Sequence, residues 1–354
     1  METYVEAVLT EARLRFPQVE DLSLSTIFIG GGTPSLLPPL LLKRLIEGLR
    51  EILHFHDAAE FTCEANPGTL TQAWLETAFS LGVNRLSLGM QASQERLLKL
   101  LGRIHTKADV EASVSLARGA GFQNLNLDLM FGLPMQTMDD WLDTLRFALS
   151  LAPQHLSCYG LILEDGTRMK EWVDTGKLTL PDESEERDMY DAALRMLGDH
   201  GFHQYEISNF ARDGFLCRHN MGYWRQVYYL GLGSSSASML PSRKSNFFCV
   251  REKNPDSLDE YLSLIAKGQV TRKREEITPE DARFETMMLG LRTTEGVRYD
   301  DFEHLHGVTL QSCYGEKIQS LIRKGLLEMD DLGVRLTRTG MDLQNQVLVE
   351  LMDD

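Results

Sequence analysis

The chain has 354 residues, a length typical of two or three domains. Its 36 lysines and arginines stand against 52 aspartates and glutamates, and the net charge of −16 disfavours binding to the phosphate backbone of a nucleic acid. The 43% of hydrophobic and 25% of charged residues exclude a mainly disordered chain, and no apolar run reaches the roughly 20 residues of a membrane span. Because the first residues also lack the pattern of a secretory signal, we expect a cytoplasmic protein that is not an integral membrane protein.

Helix and strand patterns alternate over the first 200 residues. Apolar residues at helical spacing predict a helix over Tyr4–Phe16, and the β-branched run Leu24–Ile29 predicts the first strand, which a helix over Leu40–Leu53 follows. Four further units have strands at Glu60–Glu64, Asn84–Leu88, Asn124–Leu129 and His155–Leu161 and helices at Thr71–Leu81, Gln94–Leu101, Lys107–Ala120, Met138–Leu151 and Asp182–His200. Such alternation predicts parallel βαβ units and an α/β fold. Because a helix precedes the first strand, we predict a partial parallel (β/α)6-type barrel that is missing its first strand.

The pattern changes beyond residue 250. Asn254–Asp256 and Arg272–Glu276 are predicted to be loops or a linker. Three helices are predicted in the remainder, over Pro279–Leu291, Asp300–His306 and Leu310–Lys324. Two short strands, Leu326–Met329 and Val334–Leu336, and a last helix over Gly340–Leu351 follow them. This order is typical of a helical winged-helix-like module, which we interpret as a packing or lid domain because acidic residues interrupt each basic cluster. We therefore predict two domains, 1–250 and 251–354.

Five cysteines are scattered along the chain, at Cys63, Cys158, Cys217, Cys249 and Cys313. The closest pair in sequence, Cys217 and Cys249, is 32 positions apart, and no CxxC or CxxxC motif occurs. The sequence offers no local set of thiolates for zinc or an iron–sulfur cluster. We expect reduced and mostly buried cysteines.

Polar and glycine residues recur where the predicted strands end. The first strand runs into the glycine-rich segment Gly30–Pro34, and Glu64, Gln91 and Asp128 follow later strands. In a parallel barrel these ends face one mouth. Taken one by one, the residues are ordinary turn glycines, loop polar groups or helix caps. Carboxylate and amide side chains can bind ribose hydroxyls, and the guanidinium of Arg103 fits a carboxylate. Together these residues predict a site for S-adenosylmethionine rather than for a nucleoside triphosphate.

Six segments resemble, in order and spacing, the radical S-adenosylmethionine superfamily around oxygen-independent coproporphyrinogen III oxidase. They are FIGGGTPSLL, EANPGTL, GVNRLSLGMQ, LGRIHT, NLDLMFGLPMQT and HLSCYGLILEDGT. The likeness covers most of residues 1–250, and the C-terminal module resembles the accessory domain of that family. The stretches Tyr205–Phe210 and HNxxYW (His219–Trp224) are most similar to the HemW-like subgroup of haem chaperones. The resemblance implies a radical S-adenosylmethionine barrel with an accessory domain.

The resemblance also implies a role for each residue at the strand ends. Gly31, Gly32 and Thr33 would contact the methionine amino group, and Arg103 would contact its carboxylate. The ribose would be lined by Glu64, Gln91 and Asp128, and the adenine by Met130. In the family a CxxxCxxC motif holds a [4Fe–4S] cluster that converts S-adenosylmethionine into a 5′-deoxyadenosyl radical. No such motif occurs in this sequence. We therefore expect no metal site and no catalytic residue in this chain, which we interpret as a truncated or a degenerate member.

The HNxxYW motif supplies the candidate haem contacts. If the motif is helical, His219 and Tyr223 are neighbours one turn apart, and so are Asn220 and Trp224. Because imidazole ligates haem iron and aromatic faces pack against a porphyrin, His219, Tyr223 and Trp224 are candidate haem-binding residues. The alternative is an aromatic helix that plugs the end of the barrel, with His219 hydrogen-bonded in the core.

Three functions follow from these residues and the resemblance. The favoured one is a HemW-like haem chaperone that binds haem and S-adenosylmethionine and delivers haem to an acceptor protein associated with the membrane. The second is a truncated oxygen-independent coproporphyrinogen III oxidase, which decarboxylates two propionates by radical hydrogen abstraction. The third is a cluster-free remnant with a binding or structural role.

Overall fold

The computed structural model describes residues 1–19, 22–270 and 272–352. The helices in chain order are α1 Glu2–Arg15, α2 Pro39–Ile52, α3 Gln72–Ser80, α4 Glu95–Leu100, α5 Lys107–Gly119, α6 Met138–Ser150, α7 Arg168–Asp174, α8 Glu183–Asp199, α9 Arg218–Trp224, α10 Leu258–Ala266, α11 Pro279–Gly290, α12 Tyr299–His306, α13 Leu310–Arg323, α14 Arg338–Asp342 and α15 Gln344–Leu351. The strands are β1 Leu24–Ile29, β2 Phe55–Ala65, β3 Arg85–Gln91, β4 Asn124–Phe131, β5 His155–Gly160, β6 His203–Gln204, β7 Asn209–Ala211, β8 Ala237–Pro241, β9 Cys249–Lys253, β10 Lys273–Ile277, β11 Val297–Arg298, β12 Leu327–Met329 and β13 Gly333–Leu336.

The chain divides into two compact units. The first contains Met1, Leu22–Gln204 and Ser208–Cys217, and the second contains Glu2–Asp21, Tyr205–Ile207 and Arg218–Asp354. The predicted boundary between residues 250 and 251 falls within β9 of the second unit. The assignment of functional domains to 1–250 and 251–354 stays a prediction.

The first unit is built on a seven-stranded sheet in the order β1-β2-β3-β4-β5-β7-β6. The strands β1 to β5 are parallel, whereas β7 runs antiparallel to β5 and β6 antiparallel to β7. Each of the first five strands is followed by at least one helix, so the predicted α/β fold with a parallel sheet is confirmed. No sequence pattern predicted β6 and β7, because two or three residues are too few for a strand pattern.

The two faces of this sheet have opposite chemistry. Because side chains alternate along a strand, residues such as Leu86, Leu127 and Leu156 point to one face, where they pack in the apolar core with helix side chains such as Trp74 and Leu145. The other face carries buried polar side chains, namely Thr62, Arg85, Ser87, Asn126, His155 and Ser157. A parallel sheet usually buries apolar residues on both faces, so a polar face indicates a site rather than a second core.

Capping residues fix where the helices behind the sheet begin. Thr106, Thr137 and Asp182 each accept a hydrogen bond from the backbone three residues on, and each forms a complete capping box with an acidic partner. The acidic run that begins at Asp182 is therefore the start of α8, where negative charge also suits the helix dipole.

The second unit contains two three-stranded antiparallel sheets, in the orders β10-β9-β8 and β11-β13-β12. The prediction that Arg272–Glu276 is a loop or linker is wrong, because Lys273–Ile277 forms β10. This strand lies at the sheet edge and exposes Lys273, Arg274 and Glu275, so the apolar alternation that marks a strand in sequence is absent.

The C-terminal part of the second unit matches the helical, winged-helix-like prediction. Helices α11, α12 and α13 are followed by β12 and β13, and β11 adds a third, short strand that the sequence did not predict. The predicted last helix is two helices, α14 and α15, which break at Leu343. Within the described ranges of the chain, no helix is long and apolar enough to cross a membrane.

Candidate functional site

The glycine-rich segment after β1 is held by Glu64, which lies near the end of β2. The backbone N–H of Gly31 donates a hydrogen bond of 3.1 Å to Oε2 of Glu64. Gly31 has φ = +94°, which only glycine adopts without strain, and a side chain at Gly30 would collide with the Glu64 carboxyl. Around Gly31 and Gly32 the space for a side chain is open. The predicted contacts Gly31 and Gly32 thus lie in a loop with accessible backbone, and the third, Glu64, holds this loop from β2.

Asn66 connects the other end of this segment to Arg103. Its amide Nδ2 donates to Thr33 Oγ1 at 3.2 Å, and Nη1 of Arg103 donates to its Oδ1 at 3.4 Å. The residues predicted for the methionine amino group and carboxylate therefore share one partner. The sequence reasoning did not assign a role to Asn66, although its place directly after the strand, in the quoted segment EANPGTL, was a usable signal.

Gln91 lies at the end of β3 in a strained conformation. Its φ of 63° is in the left-handed region, and the pairing of β3 with β4 becomes irregular between Leu88 and Gln91. The side chain is buried. Backbone strain of this kind in a residue other than glycine clusters at ligand sites, where the surrounding structure enforces it.

Two carboxyl groups at these strand ends are close enough to affect each other. Burial raises the pKa of the Glu64 carboxyl above its usual value, and the charge of Asp128 raises it further, against the hydrogen bond from Gly31. Burial likewise raises the pKa of Asp128, while hydrogen bonds from Asn126, Ser157 and Ser87 and the charge of Arg85 act in the opposite direction. Paired carboxyl groups with raised pKa values are typical of a ligand site.

Arg103 and Met130 line a common cavity of about 280 Å³ at the mouth of the sheet. Leu161, Ile162 and Glu164 also contribute to it, and the Ile162 side chain is 83% exposed. Arg103 and Met130 therefore share one cavity, and their contacts with a methionine carboxylate and an adenine stay predictions. The apolar run after β5 was quoted in the resemblance but was not given a role, and the structure adds it to the wall of this cavity.

The HNxxYW motif forms the helix α9, as its haem interpretation requires. Nε2 of His219 lies 2.9 Å from the hydroxyl oxygen of Tyr223, and their rings meet edge to face with centroids 5.0 Å apart. Tyr223 makes the same type of contact with Tyr229 at 4.9 Å. Tyr223 is 40% exposed, so the pair lies at the surface of its unit rather than in a core.

Trp224 lies apart from this pair. The Arg292 guanidinium stacks over its indole at 5.1 Å, and the residue lines a separate cavity of about 290 Å³ with Arg225, Glu295 and Phe302. Its indole N–H is buried and has no hydrogen-bond partner in the described part of the chain. The three candidate haem residues are therefore one pair and one separate side chain, and their role in haem binding stays a prediction.

The cysteines do not form a metal site in the described residues. Four of them are buried, and Cys313 is half-buried. Burial raises the pKa of the Cys63 and Cys158 thiols far above the usual value and that of Cys249 to about 11, which disfavours the thiolate form that metals need. Across residues 1–19, 22–270 and 272–352, no group of three His, Cys, Asp or Glu side chains could hold a metal ion. The residues present do not fit an iron–sulfur cluster.

Two family profiles match the chain. The profile of the radical SAM superfamily matches residues 5–148, and that of the HemN C-terminal domain matches residues 277–343. The structure is similar to that of coproporphyrinogen III oxidase (HemN) from Escherichia coli, a radical SAM enzyme, with a TM-score of 0.81 and 23% identity over 98% of this chain and 82% of that one. The fold and the two profiles define a protein of the radical SAM superfamily with a HemN-type C-terminal domain.

Full-length relatives narrow this class. The chain is 37% identical to "Heme chaperone HemW" from Bacillus subtilis (strain 168) over 349 residues, which cover 98% of this chain and 90% of the relative. It is also 37% identical to "Heme chaperone HemW" from Lactococcus lactis over 358 residues, 100% of this chain and 90% of the relative. A mitochondrial "Radical S-adenosyl methionine domain-containing protein 1" from Danio rerio is 34% identical over 97% of this chain and 78% of its own length. The chain belongs to the family of HemW haem chaperones, and the predicted HemW-like function is confirmed at that level.

Proposed function

We propose that this chain binds haem on α9, binds S-adenosylmethionine at the strand ends of the first unit, and delivers haem to an acceptor protein associated with the membrane. Membership of the HemW family supports the proposal, because the relatives from Bacillus subtilis and Lactococcus lactis are named as haem chaperones. The observation that carries it is the contact between half-buried His219 and exposed Tyr223 on a helix. A cytoplasmic location is part of the proposal.

The haem contacts follow from the chemistry of α9. His219 offers an imidazole nitrogen to the iron, and Tyr223 with Tyr229 offers an aromatic edge against which a porphyrin packs. Coordination through Nε2 replaces the hydrogen bond to the Tyr223 hydroxyl, which contributes only about 0.5–1.5 kcal/mol.

The S-adenosylmethionine contacts use the loop and the strand ends. Open backbone at Gly31 and Gly32, with Thr33 beside them, would receive the methionine amino group, and Arg103 would pair with the carboxylate. The polar side chains of Glu64, Gln91 and Asp128 would line the ribose. Met130 would line the adenine. S-adenosylmethionine supplies radical chemistry only when a reduced iron–sulfur cluster is present, and no step through such a cluster is assigned to these residues.

A haem titration of the full chain tests the α9 site. We expect the wild type to develop a Soret band that saturates at one haem per chain and that decays when excess apomyoglobin is added. His219→Ala should shift the Soret maximum and weaken binding by at least tenfold, because the iron loses its ligand. Tyr223→Phe keeps the aromatic ring and should change the spectrum less.

His203→Ala is the control, because His203 is a solvent-exposed histidine of the first unit, far in sequence from α9, and its Nε2 lies 3.4 Å from Asp213 Oδ1. Identical titrations for wild type and His219→Ala would contradict the assignment of His219. The alternative function is checked in the same preparation: consumption of coproporphyrinogen III with S-adenosylmethionine would favour the oxidase over the chaperone.

A further inference from the structure

Three neighbouring strands of the first unit place polar side chains in register on the polar face of the sheet. Asn126 in β4 is paired with Ser87 in β3 and with His155 in β5. One step further toward the strand ends, Asp128 is paired with Ser157. Paired residues on adjacent strands bring their side chains into contact, so these five form one connected group.

The Asn126 amide is the centre of the group, and all of its hydrogen-bonding capacity is used. Its Nδ2 donates to Ser87 Oγ at 2.7 Å and to Asp128 Oδ1 at 2.8 Å. Its Oδ1 lies 2.6 Å from His155 Nδ1 and accepts from Ser157 Oγ at 3.2 Å. A buried amide with two donors and two acceptors satisfied has one orientation, and Asn126 therefore presents a fixed N–H to Asp128.

The direction of the hydrogen bonds follows from His155. Burial lowers the pKa of this imidazole well below its usual value, so the ring is neutral. Because Asn126 Oδ1 can only accept, the single ring proton is on Nδ1. The donors run from His155 to Asn126 and from Asn126 to Asp128. Ser87, which accepts from Asn126, donates its own proton to the second Asp128 oxygen at 3.1 Å.

Charged and titratable groups from each adjacent strand face Asp128. Arg85 in β3 is buried, and its Nε has no hydrogen-bond partner in the described residues, so its positive charge acts on Asp128 through space. The charge of Asp128 raises the pKa of Glu64 in β2, and Cys158 and His155 in β5 are uncharged. Burial raises the pKa of Asp128, and the hydrogen bonds from Asn126, Ser157 and Ser87, together with the charge of Arg85, oppose that rise.

We propose that Asn126 and His155 are positioning residues that hold Asp128 as an oriented carboxylate, able to accept hydrogen bonds from two neighbouring hydroxyl groups of a ligand. The inference rests on the proposed S-adenosylmethionine pocket, whose ribose supplies such hydroxyls. His155 contacts Asn126 and acts on Asp128 through it. The sequence reasoning named Asp128 and neither of its supports.

Calorimetric titration of the full chain with S-adenosylmethionine and, separately, with 5′-deoxyadenosine tests this inference. We expect Asn126→Ala to bind both probes at least tenfold more weakly than wild type, because a charge-assisted hydrogen bond is lost and Asp128 is protonated more readily. As the pH is lowered, the affinity of Asn126→Ala for both probes should begin to fall at a higher pH than the affinity of wild type does. His155→Ala should behave similarly, whereas His155→Asn should restore binding, because its amide N–H can replace Nδ1–H.

Asn84→Ala is the control, since this asparagine also bridges β2 and β3, through Phe61 N and Ala59 O, but at the opposite end of the strands. Equal affinities and equal pH profiles for wild type, Asn126→Ala and His155→Ala would overturn the inference and leave the pocket intact. Failure of His155→Asn to restore binding, with folding verified by circular dichroism, would also overturn it. Failure of wild type to bind either probe would overturn the proposed pocket itself, and the inference with it.

Discussion

Removal of the Glu11 carboxylate from α1 should strongly destabilise the second unit. Glu11 is fully buried, and its oxygens accept hydrogen bonds from Gly233 N, Asn254 Nδ2 and the Tyr261 hydroxyl, each at 2.8 Å. It also forms an ion pair with the buried Arg272 guanidinium. These four partners lie in the loop before β8, the loop between β9 and α10, α10 itself and the residue before β10, so one carboxylate joins α1 to four segments of the second unit.

The magnitude follows from what Glu11→Ala leaves behind. Arg272 would remain buried without its counter-ion, and three donors would lose their acceptor. Breaking a buried pair from one side costs about 3–5 kcal/mol. At about 2–4 °C per kcal/mol for a unit of this size, the melting temperature should fall on the order of 10 °C.

The measurement is urea unfolding followed by tryptophan fluorescence, with thermal scans by calorimetry. Glu51→Ala, a substitution of an exposed helical glutamate, should change the free energy of unfolding by less than about 0.5 kcal/mol. In a double-mutant cycle the variant with both Glu11→Ala and Arg272→Ala should be less destabilised than the sum of the single variants. A loss below about 1 kcal/mol for Glu11→Ala, or simple additivity in the cycle, would refute the reasoning.

Three further outcomes are expected at the strand ends. Gly31→Ala should lower the free energy of unfolding by about 1–2 kcal/mol and weaken S-adenosylmethionine binding, because φ = +94° is strained for alanine; unchanged urea midpoints would contradict this. Gln91→Gly should relieve its left-handed strain, so urea unfolding should show no loss of stability while the calorimetric affinity for S-adenosylmethionine falls; a stronger affinity would exclude a role for the Gln91 amide. Since burial raises the pKa of both Glu64 and Asp128, lowering the pH through those raised values should stabilise the first unit in urea unfolding yet weaken binding of S-adenosylmethionine, which needs the ionised carboxylates; parallel changes in stability and affinity would contradict this assignment.

Local patterns in the sequence determined the main architecture of the first unit. The apolar run Leu24–Ile29 coincides with β1, and the helical spacing near the N-terminus gives α1 within two residues at its start. Such elements are predictable because burial of one helix face or of a strand leaves a period in the chain itself. The strand-end residues Glu64, Gln91 and Asp128 were identifiable for the same reason, since the carboxyl ends of parallel strands share one edge.

Only the tertiary structure decided which side chains support those residues. Asn66 joins Thr33 to Arg103 across 33 and 37 positions, and Asn126 meets Ser87 and His155 across 39 and 29. The strand β10 is likewise defined by its pairing with β9, not by its own charged residues. Sequence periodicity reports how a segment is buried, whereas hydrogen bonds between strands depend on register, which is fixed only when the sheet has formed.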